Sequence, residues 1–281
     1  MPAPTPSPDL AAFYDREFNT RLGLADPAAL LAGWQERARK ARASLQGHLD
    51  LAYGPGPRER LDLFPGKPGS ALLVFIHGGF WRARDKEEFT WVAEPYVQRG
   101  VSVALLEYAL APQVTLSTIV EQTQAAIAWL HRHAASYGVR ADPMVIAGHS
   151  AGGQLAALVA CQPQHGVPPP RAVVPLCALS DLQTVQWAPS HNQDLQLTDD
   201  EVLHLSPARL QPVAGVQVVT AVGSAESREF LRQNALFAQH WGSARVRDIA
   251  LPGANHFSAC EALADVGHPL FEAVLGLCTL G

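Results

Sequence analysis

From residue 71 onward the sequence alternates short apolar runs with helix-patterned stretches, and this constrains the fold more than any other feature. The runs, at about 71–77, 101–108, 143–149, 171–179, 216–223 and 245–251, are rich in Val, Leu, Ile and Ala and have strand rather than helix length. Helical patterns at about 85–98, 115–137, 151–161, 227–241 and 258–279 separate them. Strands that stay apolar along their whole length are covered on both faces, so the pattern predicts a mostly parallel, twisted sheet with helices on either side. Two further strand candidates, at about 48–53 and 59–64, make the sheet eight-stranded. Helices at about 9–18 and 27–46 precede them, the second opened by Asp26 as N-cap before Pro27.

With 281 residues, 48% hydrophobic and 17% charged, the chain is long enough for one sizeable core, and residues 1–281 are expected to form a single α/β domain. Alternating prolines over residues 1–8 suggest a flexible extended arm without the basic and apolar regions of an export signal. Residues 181–210 interrupt the alternation. Together with the N-terminal helices of residues 9–46 they are expected to form a small cap over the strand ends.

Chemistry enters with Gly148-His149-Ser150-Ala151-Gly152, a G-x-S-x-G pentapeptide lying where an apolar run stops and a helical pattern starts. A sharp strand-to-helix turn leaves little room two positions either side of the serine, and the two glycines supply it. The turn exposes the hydroxyl and aims a helix N-terminus at it, which favours negative charge developing nearby. Alone, the same residues could make an ordinary turn. Upstream, the run at 71–76 feeds directly into His77-Gly78-Gly79-Phe80-Trp81, whose glycines would let backbone N–H groups approach an oxyanion together with the N–H of Ala151.

A serine nucleophile also requires a base and an acid, in the chain order Ser, acid, His. Of 11 histidines, His256 follows the last strand candidate on a Pro252-Gly253-Ala254-Asn255 loop, whereas His268, beside Pro269, falls in the terminal helical region. Glu226 follows the strand candidate at 216–223 and is favoured as the acid, with Glu229 and Asp181 as the alternatives.

These residues carry a resemblance. His77-Gly78-Gly79-Phe80-Trp81, Glu107-Tyr108-Ala109-Leu110-Ala111-Pro112, Gly148-His149-Ser150-Ala151-Gly152-Gly153, the 226–230 stretch and Asn255-His256-Phe257 are similar to motifs of α/β-hydrolases of the hormone-sensitive-lipase-like branch, within it bacterial esterases like kynurenine formamidase. The resemblance spans about residue 50 to the end and implies an α/β-hydrolase fold and a Ser150, Glu226, His256 triad. It implies an oxyanion hole from Gly78, Gly79 and Ala151, and hydrolysis of short-chain esters or aryl formamides without metal or cofactor. Where many relatives carry a third glycine this chain has Phe80, and with Trp81 and His149 it is expected to wall a narrow acyl pocket.

Other classes fit poorly. Gly148, Gly152 and Gly153 lack the G-x-G-x-x-G spacing of dinucleotide binders, and no Gly-Lys-Ser/Thr of a P-loop occurs. A net charge of −5 argues against a nucleic-acid partner, and the cluster from Arg37 to Arg42 reads as a solvated helix face. No apolar stretch is long enough to span a membrane. Four widely spaced cysteines read as reduced, buried small side chains of a cytoplasmic protein, and His131 and His133 point to different helix faces. A small-molecule ester or aryl formamide is the expected partner, a homodimer is one admissible oligomeric state, and a non-catalytic module with a hydrolase fold is the competing class.

Overall fold

The structure, a computed structural model, describes residues 6–242 and 246–279. Its strands are β1 (His48–Ala52), β2 (Arg60–Phe64), β3 (Leu72–Ile76), β4 (Ser102–Leu106), β5 (Met144–His149), β6 (Ala172–Leu176), β7 (Gln217–Gly223) and β8 (Val246–Leu251). They form one eight-stranded sheet in the order β1-β2-β4-β3-β5-β6-β7-β8. The β1–β2 and β2–β4 pairs are antiparallel and every later pair is parallel. The chain runs outward from β3 to β4, then returns to add β5 on the other side of β3. This reversal opens a crevice at the C-terminal ends of β3 and β5, where parallel α/β sheets bind their ligands. Register brings Ile76 opposite Gly148, so the loop after β3 lies beside the serine turn after β5.

Helices α1 (Pro8–Glu17), α2 (Pro27–Ser44), α3 (Thr90–Gln98), α4 (Leu116–His133) and α5 (Ala151–Cys161) are followed by three short ones, α6 (Leu182–Gln186), α7 (Pro189–Leu195) and α8 (Asp199–His204). Then come α9 (Arg228–Trp241), α10 (His256–Glu261) and α11 (Pro269–Thr279). All five residues of each of β3, β4 and β6 are buried, as the unbroken apolar runs predict. Asp26 caps α2 by accepting from Ala29 N at 2.9 Å, with Pro27 in the first turn.

Two boundaries and one surface reading differ from expectation. The terminal helical pattern at 258–279 is two helices, because Gly267 takes a left-handed φ of +89° and Pro269 then opens α11. His268 therefore precedes that helix rather than lying inside it. At the N-terminus the proposed arm ends early: Ser7 caps α1 by accepting from Leu10 N, and Pro8 is already helical. Residues 1–5 of that arm, and residue 245 of the last strand candidate, lie outside the described residues. The basic face of α2 is only partly solvated: Arg37 pairs with Glu261 at 2.9 Å, and Arg42 reaches buried Asp62.

Residues 181–210, which showed no clear pattern, fold into α6, α7 and α8, and α1 packs against α7 and α9. Phe18, fully buried after α1, meets Phe80, His191 and Phe230 edge-on. The N-terminal helix and the excursion thus meet over the strand ends. Among the described residues no helix is long and apolar enough to cross a membrane.

Candidate functional site

Ser150 occupies the turn between β5 and α5 with φ +58° and ψ −118°, a conformation a serine holds only where its surroundings enforce it. The enforcement comes from the sheet: Ser150 N donates to Leu176 O at 2.8 Å, and α5 starts at the next residue. Phe80, Trp81 and Cys177 also take positive φ, so strained residues gather around this crevice. As the first residue of α5, Ala151 has an N–H with no carbonyl one turn earlier to bind it.

The loop after β3 supplies the facing wall. Gly79 has φ +112°, and a Cβ there would stand 2.2 Å from the Ala83 carbonyl oxygen, so only glycine fits. Two residues not picked out individually from sequence hold this loop. Glu107 accepts from His77 Nε2 (3.0 Å), Arg58 (2.5 Å) and the backbone N of Lys86 (3.0 Å), while the Tyr108 hydroxyl donates to His77 O at 2.9 Å. Burial pushes the Glu107 carboxyl up, but His77 and Arg58 outweigh it and leave it below its ordinary value. The only sequence signal was the Glu107-to-Pro112 motif, which names no partner.

His256 opens α10, placed by Asn255, whose side chain accepts from Phe257 N and Ser258 N at 3.0 Å. Its Nδ1 donates to Glu226 Oε1 at 2.9 Å, and both side chains are almost fully enclosed, 6% and 3% exposed. The alternative acids are engaged elsewhere: Asp181 accepts from Arg232 (2.9 Å), and Glu229 accepts from Arg232 (2.7 Å), Thr184 (2.7 Å) and Gln233 (2.9 Å).

Ser150, His256, His149, Gly78, Gly79 and Phe80 line one cavity of about 520 Å³. The cap contributes Asp15, Phe18, Arg21, Ser190 and His191, and Trp34, Phe89 and Phe257 add aromatic surface. Phe80 stacks on His191 with ring centroids 4.0 Å apart. Trp81 does not join this wall. It is fully buried, and its indole N–H donates to Gln154 Oε1 at 3.2 Å behind the site. Two adjacent aromatic residues in one tight turn point in different directions, and only Phe80 faces the cavity.

Among the described residues, His149, Cys177 and His256 bring three ligand-type atoms within 4.8 Å of one another. They are poorly prepared for a cation. His149 Nε2 donates to the His256 carbonyl (2.9 Å) and His256 Nδ1 to Glu226, while burial and the nearby Glu226 push the Cys177 thiol well up and keep it protonated.

His191 carries a pH prediction. Burial first, and then neighbouring Arg82, hold it down at about 4; Asp15 and Asp194 pull the other way. The unfolded chain takes up this proton near pH 6.5 and the folded one does not, so stability is lost as pH falls through 6.5 and the loss levels off below 4. Going from pH 7 to 5 should cost about 2 kcal/mol at this residue. Phe at position 191 keeps the stacking and removes the proton site, so the His191→Phe variant should show a flatter urea-midpoint profile over that range. An unchanged slope would refute this.

Residues 63–168 match the BD-FAE family. Over 256 residues the chain is 27% identical to the kynurenine formamidase of Salmo salar, covering 86% of this chain and 85% of that protein. Its identity to the Danio rerio kynurenine formamidase is 28% over 89% of this chain and 87% of the relative. A crystal structure of a candidate thioesterase from Silicibacter sp. TM1040 superposes with a TM-score of 0.83 at 32% identity, over 94% of this chain and 98% of that one.

Proposed function

Since this chain belongs to the α/β-hydrolase family, in its hormone-sensitive-lipase-like branch, and is an ester hydrolase by kinship, we propose that it cleaves small carboxylic esters through an acyl-enzyme on Ser150. The observation that carries this reading is the 2.9 Å Glu226–His256 hydrogen bond, with His256 and Ser150 on one cavity. Ser150 Oγ attacks the carbonyl carbon as His256 Nε2 takes its proton, and Glu226 fixes the imidazole tautomer and supports its cationic form. The N–H groups of Gly78, Gly79 and Ala151 hold the oxyanion, each such donor contributing about 3 kcal/mol. The C–O bond breaks, the alcohol leaves with the proton from His256, and water repeats the sequence to release the acid and free Ser150. The cavity walls of Phe18, Phe80 and His191 favour short acyl groups.

A second reading is hydrolysis of aryl formamides. Two observations favour it: the kynurenine formamidases match nearly full length, and the cavity is lined by five aromatic side chains, Phe18, Trp34, Phe80, Phe89 and Phe257.

Specificity constants for p-nitrophenyl acetate, p-nitrophenyl octanoate and N-formylkynurenine, measured on one preparation, test both readings. The acetate should exceed the octanoate by at least about tenfold if the walls exclude long chains. Faster turnover of the octanoate would overturn the short-acyl assignment, and a kcat/KM for N-formylkynurenine well above the acetate value would make the formamide the substrate.

A further inference from the structure

His149, the first variable position of the pentapeptide, is 4% exposed, yet it lines the cavity. Its Nε2 lies 2.9 Å from the backbone carbonyl of His256. A carbonyl only accepts, so Nε2 carries the hydrogen. Burial, and next the proximity of His256, keep the ring neutral at physiological pH. Nδ1 is therefore a bare lone pair; the described residues donate no hydrogen bond to it, and it is not sealed from solvent. It lies against Gly78: the point where a Cβ would sit on that glycine is 3.3 Å from His149 Nδ1 and 3.0 Å from Ser150 Cβ. An acceptor open to the cavity thus stands beside the serine and the glycine loop, with no donor on it from the described residues.

Resting on the serine-hydrolase reading above, the geometry points to His149 as a specificity-determining residue whose Nδ1 accepts the scissile N–H of a secondary amide, the aryl formamides of the second reading among them, and so favours such amides over esters. The chemistry of C–N cleavage supplies the reason. Once Ser150 Oγ bonds to the formyl carbon, the nitrogen becomes pyramidal, and its lone pair must face His256 Nε2–H to receive the proton with which the amine departs. That turns the N–H away from His256 toward the cavity wall, where a donor left unpaired is costly. Nδ1 pairs it. An ester oxygen has two lone pairs and no hydrogen, so it gains nothing from Nδ1. After the amine leaves, water hydrolyses the formyl-serine to formate and restores Ser150.

The test compares kcat/KM for formanilide, N-methylformanilide and phenyl formate on the wild-type protein and on His149→Leu and His149→Asn. The ratio of formanilide to N-methylformanilide isolates the N–H, because losses from a disturbed His256 loop affect both amides and are read on phenyl formate. His149→Leu should lower that ratio about tenfold. His149→Asn places a carbonyl oxygen near the Nδ1 position and should restore most of it. Equal ratios in wild type and His149→Leu would overturn the assignment, as would a wild-type ratio no greater than that of alkaline hydrolysis, a result independent of how the variants fold. Turnover of phenyl formate without any of formanilide would overturn it while leaving the ester reading standing, and no turnover of phenyl formate would remove the ester reading itself.

Discussion

Replacing Ser150 with Ala is expected to reduce kcat/KM on p-nitrophenyl acetate by roughly 10⁴- to 10⁶-fold while leaving the fold intact. The hydroxyl is the only group the substitution removes, so no packing is lost; the strained φ of +58° is enforced by the neighbouring strands and persists. Circular dichroism and the melting temperature should match the wild type. The drop should be about as large for His256→Ala, because nucleophile and base act as one unit whose effects do not add. Glu226→Gln should cost less than either, since the acid orients the base without touching substrate. Retention of wild-type rates by Ser150→Ala would mean that this cleft hosts a binding module, or that another group attacks.

A large stability effect is expected at Gly148. A Cβ there would lie 2.0 Å from the Gly152 carbonyl oxygen and 2.8 Å from Gly153 N, both backbone atoms of the first turn of α5. Neither side can retreat freely. Gly148 is paired with Ile76 on one side and Pro175 on the other, in the buried middle of the sheet. Gly148→Ala should therefore destabilise by about 3 kcal/mol in urea unfolding, the upper range for overpacking in a rigid core. It should also abolish turnover, because the only relief is to shift α5 and with it Ser150. A variant within about 0.5 kcal/mol of wild type would show that the turn is softer than the sheet register implies.

Much of the fold was legible because strands buried on both faces write themselves as unbroken apolar runs. The run at 71–76 and the fully buried β3 it becomes are an example, and the eight strand candidates all appear. What failed was chiefly a matter of local backbone choice. Gly267 and Pro269 break a pattern that hydrophobic periodicity reads as one helix. Phe80 and Trp81 look alike in sequence, yet their successive positive φ values send one ring to the cavity and the other to Gln154. Of the short helices, α6 and α8 are capped by Asp181 and Thr198 and α7 packs on α1, so periodicity over five to seven residues gives them little signal.

By itself the sequence determined the serine turn, the glycines facing it, a late histidine and the layered sheet, because each depends on residues near one another in the chain or on a period along it. Only the tertiary structure shows which of Glu226, Glu229 and Asp181 lies beside His256, since an arginine 51 residues from Asp181 engages the other two. It also shows which ring nitrogen of His149 carries the hydrogen. Its tautomer is set by the carbonyl of a residue 107 positions away. Side-chain hydrogen bonds across such separations leave no periodic trace, and they settle which polar atoms are occupied and which stay free for a substrate.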